Sequence, residues 1–78
     1  MKVIKEVIVV EGKTDTAIIK KLFKADTIET HGLALSKETL DYIEEIAKTR
    51  GVIVLTDPDF PGKKIRDQIQ QRVKNAKH

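Results

Sequence analysis

Apolar residues along the chain form continuous runs in some segments and helical repeats in others. Residues 3–10 (VIKEVIVV) are rich in β-branched side chains and end in four consecutive apolar residues, which predicts a strand buried on both faces. Residues 52–55 (VIVL) show the same pattern, and residues 27–30 (TIET) form a shorter strand candidate. We therefore predict three strands, near residues 3–10, 27–31 and 52–56.

The segment between the first two strands has the spacing of a helix. From about residue 14 to residue 24, Ile18 and Leu22 fall on one face, with Ile19 and Phe23 beside it. Asp15 lies in the first turn, where a carboxylate suits the positive end of the helix dipole. This pattern predicts the first helix.

Two further helices follow from the same kind of spacing. Ser36 is a residue type favoured at helix N-caps, and Gly51 after the basic end of that segment is typical of a C-cap. After the third strand, Ile65, Ile69 and Val73 recur every four residues, which predicts a helix from Pro61 or Gly62 to Val73 with one buried stripe.

The predicted order is βαβαβα, which indicates an α/β fold: a parallel sheet with helices on both faces in a three-layer α/β/α sandwich. A flavodoxin-like strand order would place the first and third strands side by side. A further strand would begin at residues 75–78, beyond the last predicted helix.

Composition narrows the class of protein. With 78 residues, 40% of them hydrophobic and 35% charged, the chain is sized for one small folded domain. It has no cysteine, which excludes a disulfide framework, a thiolate zinc site and a cysteine nucleophile. No apolar run approaches the roughly 20 residues of a membrane span, and the start lacks the pattern of a signal peptide. We expect a cytoplasmic protein.

The charge is unevenly distributed along the chain. Residues 61–78 carry six basic side chains and one acidic side chain, for a net charge of +5, whereas residues 1–60 carry a net charge of −2. A basic C-terminal segment hints at a polyanionic partner, and a solvated helix face is the alternative interpretation.

Three carboxylates follow the predicted strands. Glu11 comes directly after the first strand, and Asp57 and Asp59 come after the third. If these strands are neighbours, the three acids converge at the carboxyl edge of the sheet, where their mutual repulsion calls for a cation. Mg²⁺ prefers such oxygen ligands together with waters and substrate phosphate. The alternative is that Glu11 and Asp59 cap helices while Asp57 belongs to a turn.

Other residues give weaker signals. Gly12, Lys13 and Thr14 imitate the end of a P-loop, but Val7 stands where that motif needs glycine, so nucleotide hydrolysis of that type is excluded. Lys13 near a helix N-terminus would still suit a phosphate. Phe60, inside the acidic loop, either contacts a nucleic acid or packs under the loop.

The motifs around these acids resemble a known family. Residues 9–15 (VVEGKTD) and 55–62 (LTDPDFPG) are similar to the two signature motifs of Toprim domains, which occur in topoisomerases, bacterial primases and several nucleases. Residues 25–32 (ADTIETHG) and 34–36 (ALS) bring the resemblance closest to the Toprim endonucleases that mature 5S ribosomal RNA. The resemblance covers essentially the whole chain.

The resemblance implies a metal-dependent endoribonuclease that hydrolyses phosphodiester bonds in precursor 5S ribosomal RNA. It assigns Glu11, Asp57 and Asp59 as the catalytic and metal-binding site, with one or two Mg²⁺ ions and Mn²⁺ as the substitute. Such chemistry needs an activated water and compensation for charge on the reacting oxygens. Glu11 acts either as metal ligand or as general base.

Lys13, Lys63 and Arg66 are the candidates for binding RNA phosphates. The resemblance also implies a 5S RNA-binding ribosomal protein as helper and a separate C-terminal RNA-binding domain. We expect residues 1–78 to be a truncated or minimal Toprim catalytic domain that lacks that second domain and the last strand of the fold.

Two other functions stay open. One is a non-catalytic Toprim module that binds nucleic acid or metal. The other is a phosphoacceptor receiver domain, which also has acids after its first and third strands but needs five βα units and a lysine late in the chain. A metal-dependent cleavage assay and phosphorylation of Asp57 by a small phosphodonor would separate them.

Overall fold

A computed structural model describes residues 1–32, 34–56 and 60–77 and, for Phe60 and Pro61, the backbone only. The elements follow the predicted alternation. They are β1 (Lys2–Val10), α1 (Lys13–Leu22), β2 (Phe23–Glu29), α2 (Lys37–Ala47), β3 (Val52–Val54) and α3 (Phe60–Arg72).

The three strands form one parallel sheet in the order β2-β1-β3. The first and third strands are therefore neighbours, as the flavodoxin-like order predicts. Each crossover carries a helix, and right-handed connections place α1 on one face of the sheet and α2 and α3 on the other. This arrangement confirms the α/β fold with a helix layer on each side.

The two faces of the sheet build two apolar clusters. Because side chains alternate along a strand, Val9 packs with α2 and α3 while Ile8 and Val10 pack with α1. The larger cluster also contains Leu40, Ile43, Val52, Val54, Ile65, Ile69 and Val73, all buried. Each such side chain contributes roughly 1.5–3 kcal/mol through its removal from water, so the side with two helices holds most of the core.

Helix α1 is shorter than predicted. It ends at Leu22, and Phe23 already has extended backbone and begins β2, so β2 starts four residues before the predicted strand and ends at Glu29. Helical spacing in this stretch does not report burial, because Ile18 and Leu22 are exposed and Ile19 alone of the helix is buried. Pairing with β1 accounts for the early start of β2, since Phe23 pairs with Lys2 and Lys24 with Val3.

Helix α2 begins where the sequence predicts. The Ser36 hydroxyl accepts a hydrogen bond from the Thr39 backbone N–H at 3.1 Å, which satisfies one of the free donors of the first turn. The regular helix ends at Ala47, and a turn leads to Gly51. Gly51 has a φ of 85°, a left-handed conformation that favours glycine.

Helix α3 begins one residue earlier than predicted, and its buried stripe is confirmed, with Ile65, Ile69 and Val73 all buried. Beyond it, Lys77 forms a parallel bridge with Ile53 on the outer side of β3. Residues 75–77 thus contribute one bridge and no strand to the described part of the sheet. Of the helices described, none has the length and apolar character needed to cross a membrane.

Candidate active site

The carboxyl edge of the sheet brings the ends of β1 and β3 together. Val9 pairs with Val54, and the Leu55 backbone N–H donates to the Val9 carbonyl at 2.8 Å. Glu11 and Thr56 each stand two residues beyond that pair, so the two chains leave the sheet side by side. Thr56, which immediately precedes Asp57, is therefore the counterpart of Glu11 in position beyond the last pair of β1 and β3.

The backbone at Glu11 is held by the other neighbouring strand. Its carbonyl accepts a hydrogen bond from the His31 N–H at 2.6 Å, and the Val10 carbonyl accepts one from the Thr30 N–H at 2.9 Å. His31 has a φ of 58° and turns the chain away immediately afterwards. The half-buried Glu11 side chain thus starts from a backbone fixed by hydrogen bonds on its β2 side.

The first turn of α1 follows directly. The Asp15 carboxylate reaches back and accepts a hydrogen bond from the Gly12 N–H at 3.2 Å, which explains why an acid stands at this place in the sequence. Lys13 is the first residue of the helix and is exposed. It therefore lies two residues from Glu11 at a helix N-terminus, where the dipole favours anions.

Thr56 links the end of β3 to the first turns of α3. The Arg66 guanidinium donates to the Thr56 hydroxyl oxygen at 2.9 Å, and the same hydroxyl donates to the Gly62 carbonyl at 3.4 Å. Because Thr56 and Gly62 flank the Asp57–Pro61 stretch, these bonds tie its two ends together. They also hold a half-buried positive charge at the carboxyl edge of the sheet.

Lys63 lies one turn before this arginine. Its ammonium forms an exposed ion pair with Asp67 at 3.1 Å, four residues along the same helix. Such exposed pairs contribute little stability, usually under about 1 kcal/mol. The lysine is therefore free to exchange this partner for another anion at small cost.

The structure places the predicted site residues unequally. Glu11, Lys13, Lys63 and Arg66 are described: Glu11 follows the end of β1, Lys13 and Lys63 lie in the first turns of α1 and α3, and Arg66 lies one turn after Lys63. Asp57 and Asp59 lie outside the described residues, as does the side chain of Phe60. The convergence of the three carboxylates therefore stays a prediction. Within the described ranges, no group of three or more histidines and acids is placed to hold a metal ion.

Sequence reasoning overlooked two residues at this edge. Thr56 forms the hydrogen bonds to α3. It could have been found from the sequence as the residue that directly precedes Asp57. Glu29 ends β2 opposite Val10, with its side chain 23% exposed and 3.7 Å from the His31 imidazole. The sequence could have indicated Glu29 as well, since an acid at the end of a parallel strand reaches the same edge of the sheet as Glu11.

The match to a family model decides the family. The model of the Toprim domain matches residues 6–78, which include both acidic motifs and β1 from Glu6 onward. The chain belongs to the Toprim domain family. This match confirms the Toprim resemblance that the motifs at residues 9–15 and 55–62 indicated.

Several relatives of this Toprim chain carry the name Ribonuclease M5. The protein of that name from Bacillus subtilis (strain 168) is 59% identical over 96% of the chain, and that from Staphylococcus aureus (strain NCTC 8325 / PS 47) is 55% identical over the same share. Ribonuclease M5 1 from Ligilactobacillus salivarius (strain CECT 5713) is 60% identical. The chain spans only about two fifths of their length, namely 40%, 42% and 39%.

Proposed function

We propose that the chain is the catalytic Toprim domain of a metal-dependent endoribonuclease that hydrolyses phosphodiester bonds in precursor 5S ribosomal RNA. The ribonuclease name of relatives that share more than half of its residues supports the reaction class. The resemblance of residues 25–36 to 5S maturation enzymes supports the substrate. The site of action would be the cytoplasm, with a 5S RNA-binding ribosomal protein as helper.

One observation carries the proposal: β1 and β3 are adjacent, and Glu11 and Thr56 each follow the last paired residues, Val9 and Val54, by two positions. Asp57 follows Thr56 directly, and Asp59 comes two residues after Asp57. Three acids at adjacent strand ends would make this edge oxygen-rich and negatively charged. That donor set fits a hard divalent cation such as Mg²⁺ and lacks the soft ligands that zinc prefers.

Asp57 and Asp59 would hold the metal, and Glu11 would either complete the ligand set or take a proton from the attacking water. When bound, Mg²⁺ supplies charge stabilisation for the reacting phosphate oxygens and a more acidic water. The anchoring of the Glu11 backbone through His31 and Thr30 suits either role. A backbone already held in place leaves less entropy to be lost when substrate binds.

The cations of this edge are proposed to bind the RNA backbone. Lys13 and Lys63 are exposed at the first turns of α1 and α3, where a phosphate would also meet the positive ends of two helix dipoles. Arg66 stands apart from them, because its guanidinium already bonds Thr56. We assign it the task of holding the loop ends as well as contributing charge.

The substitution Asp57→Asn tests the metal site. The amide keeps the shape of the side chain and removes the charge, so Mg²⁺ binding should weaken while the fold persists. We expect Mg²⁺ to raise the thermal midpoint of the unsubstituted chain and to leave that of the variant almost unchanged. Cleavage of precursor 5S RNA by the full-length enzyme should be abolished. Asp67→Asn, an exposed carboxylate of α3, is the matched control and should retain both responses.

An equal Mg²⁺-induced rise in both midpoints would contradict the assignment of Asp57 as a ligand. The chain could also show the Mg²⁺ response and bind precursor RNA while the full-length protein fails to cleave it. The chain would then be a non-catalytic Toprim binding module. The two measurements together therefore separate the nuclease from its main alternative.

A further inference from the structure

The opposite end of the sheet, where the parallel strands begin, carries a basic surface that the proposed active site does not use. Two neighbouring concavities of about 470 and 260 Å³ share Lys5 and Arg50. Their linings include six basic and two acidic side chains among the described residues. These are Lys5, Lys20, Lys24, Lys48, Arg50 and Lys77, against Glu6 and Asp26. We call this set the amino-end surface.

The charges of this surface are only partly neutralised. Arg50 pairs with Asp26 at 2.9 Å, and Lys77 pairs with Glu6 at 2.9 Å. Lys48 pairs with Glu45 on its own helix. Lys5, Lys20 and Lys24 are exposed and form no ion pair with any carboxylate in the described part of the chain. The larger concavity is therefore rimmed by three lysines whose charges are available.

The helix dipole explains only one of these three lysines. Lys20 lies in the last turn of α1, where a cation offsets the negative end of the helix dipole. Lys5 and Lys24 lie in β1 and β2, and strands have no dipole that requires them. Two lysines on the early residues of adjacent strands, facing one concavity with a helix-end lysine, point to an anionic ligand.

The floor of the larger concavity is apolar. Val3, Ile4 and Phe23 line it, and Val3 is 66% exposed although it is a large aliphatic residue in a strand. An apolar floor that includes an aromatic ring, with a lysine rim, matches what single-stranded nucleic acid offers. Its bases have apolar faces, and its phosphates repeat along the backbone. A duplex would hide those base faces.

We propose that the amino-end surface is a second RNA-binding site that holds a single-stranded segment away from the site of cleavage. Lys5 in β1 and Glu11 just after it are six residues apart, which corresponds to about 20 Å along an extended strand. One RNA strand passing along the molecule would then contact both ends of the sheet. The proposal rests on the proposed function in taking RNA as the ligand, but the binding that it describes is independent of cleavage.

The test measures binding of a fluorescein-labelled ten-nucleotide oligouridine to the chain by fluorescence anisotropy, in EDTA so that cleavage is absent. Log affinity should fall linearly with log salt concentration, with about 0.7 in slope for each phosphate contact. Lys20→Glu and Lys24→Glu should each weaken binding several-fold and reduce the slope by about that amount. Lys21→Glu is the matched control, since Lys21 is an exposed neighbour on α1 that does not line the concavity.

A second probe examines the apolar floor. An oligomer of abasic sites keeps the phosphates and lacks the bases, so it should bind several-fold more weakly than oligouridine. Equal binding of the two probes would overturn the role of the floor. If Lys21→Glu weakened binding as much as Lys20→Glu and Lys24→Glu, the RNA would respond only to the overall positive charge. That result would overturn the proposed site. Binding to phosphatidylserine vesicles with none to oligouridine would assign the surface to a membrane instead.

These outcomes separate the two proposals. If the Lys20→Glu and Lys24→Glu variants kept full cleavage in the full-length enzyme and bound oligouridine unchanged, only the proposal for the amino-end surface would be refuted. If Mg²⁺ did not raise the thermal midpoint of the unsubstituted chain, but RNA binding still depended on Lys20 and Lys24, only the nuclease proposal would be refuted.

Discussion

Gly51 shows how a single residue fixes a junction of the fold. Its φ of 85° lies in the left-handed region, and a Cβ placed there would stand 3.2 Å from Cγ of Glu6. Its carbonyl accepts a hydrogen bond from the Val7 N–H at 3.1 Å, so this turn also begins the pairing of β3 with β1. Conformation and close contact both require glycine at this position.

We therefore expect Gly51→Ala to lower the free energy of unfolding by about 1–2 kcal/mol, the usual cost of a left-handed backbone for an L-residue. Urea unfolding followed by circular dichroism measures the change. Gly12→Ala is the comparison, because Gly12 has extended backbone and no atom within 4 Å of the added Cβ. A loss at Gly12 as large as that at Gly51 would contradict this explanation.

Single residues also show what sequence reasoning reaches at a site. The place of Glu11 follows from the end of an apolar run and from parallel pairing, and both are visible in the sequence. The bond between Arg66 and Thr56 is not visible, because it joins residues ten apart across a turn and depends on where α3 begins. Sequence indicated a free RNA-binding arginine, and the structure gives that arginine a structural partner.

At the scale of elements, α1 and α3 contrast in how they use a helical repeat. In α3 the residues at every fourth position are buried, and Ile69 is fully enclosed between α2 and the sheet. In α1 the same kind of repeat leaves Ile18 and Leu22 more than half exposed. The first face of the sheet has a single helix above it, so only a narrow stripe of that helix is covered.

This difference predicts unequal costs of truncation. Ile69→Ala should lower the free energy of unfolding by about 2–5 kcal/mol, as for other enclosed aliphatic residues. Ile18→Ala should change it by no more than about 0.5 kcal/mol, because the side chain is 54% exposed. Urea midpoints give both values, and Ile69→Val, at about 0.5–1.5 kcal/mol, covers the case in which the alanine variant does not fold. Comparable losses at positions 18 and 69 would contradict the assigned core.

The element boundaries show where local pattern stops being sufficient. The existence, type and order of all six elements follow from the sequence, since continuous apolar runs indicate the strands and helical spacing indicates the helices. The end of α1 does not, because Phe23 and Lys24 continue the helical spacing but pair with β1 instead. Tertiary pairing outweighs the local preference there, and no local signal reports it.

At the scale of the whole molecule, ion pairs join segments that are distant in sequence. Lys77 pairs with Glu6 across 71 residues, and the Arg72 side chain of α3 bonds both Glu44 and Asp41 of α2. The hydrogen bond from Lys77 lowers the pKa of Glu6, and Lys37 together with Arg72 lowers the pKa of Asp41. Stability should therefore depend on pH in the acidic range.

The sign follows from these lowered values. Both carboxylates favour the folded state above their ordinary pKa values of 4.5 and 3.8, and this contribution is lost as the pH falls through their lower folded values. We expect the urea midpoint to fall as the pH is lowered from about 5 to 2. Glu6→Gln and Asp41→Asn should start lower at pH 7 and fall less steeply, while Glu38→Gln, which breaks no ion pair among the described residues, should keep the original slope. Parallel curves for all variants would contradict these assignments.

The position of β2 at one margin of the sheet has a consequence for how the molecule behaves in concentrated solution. Its outer backbone groups offer a template on which another chain could add as a strand, the usual origin of fibrous self-association. Lys24 and Asp26, both exposed, alternate along that margin with the half-buried Phe23 and Ala25. An incoming strand would bring its own apolar side chains against these two charges. Lys24 and Asp26 on β2 thus oppose aggregation at this edge as well as lining the proposed surface for RNA.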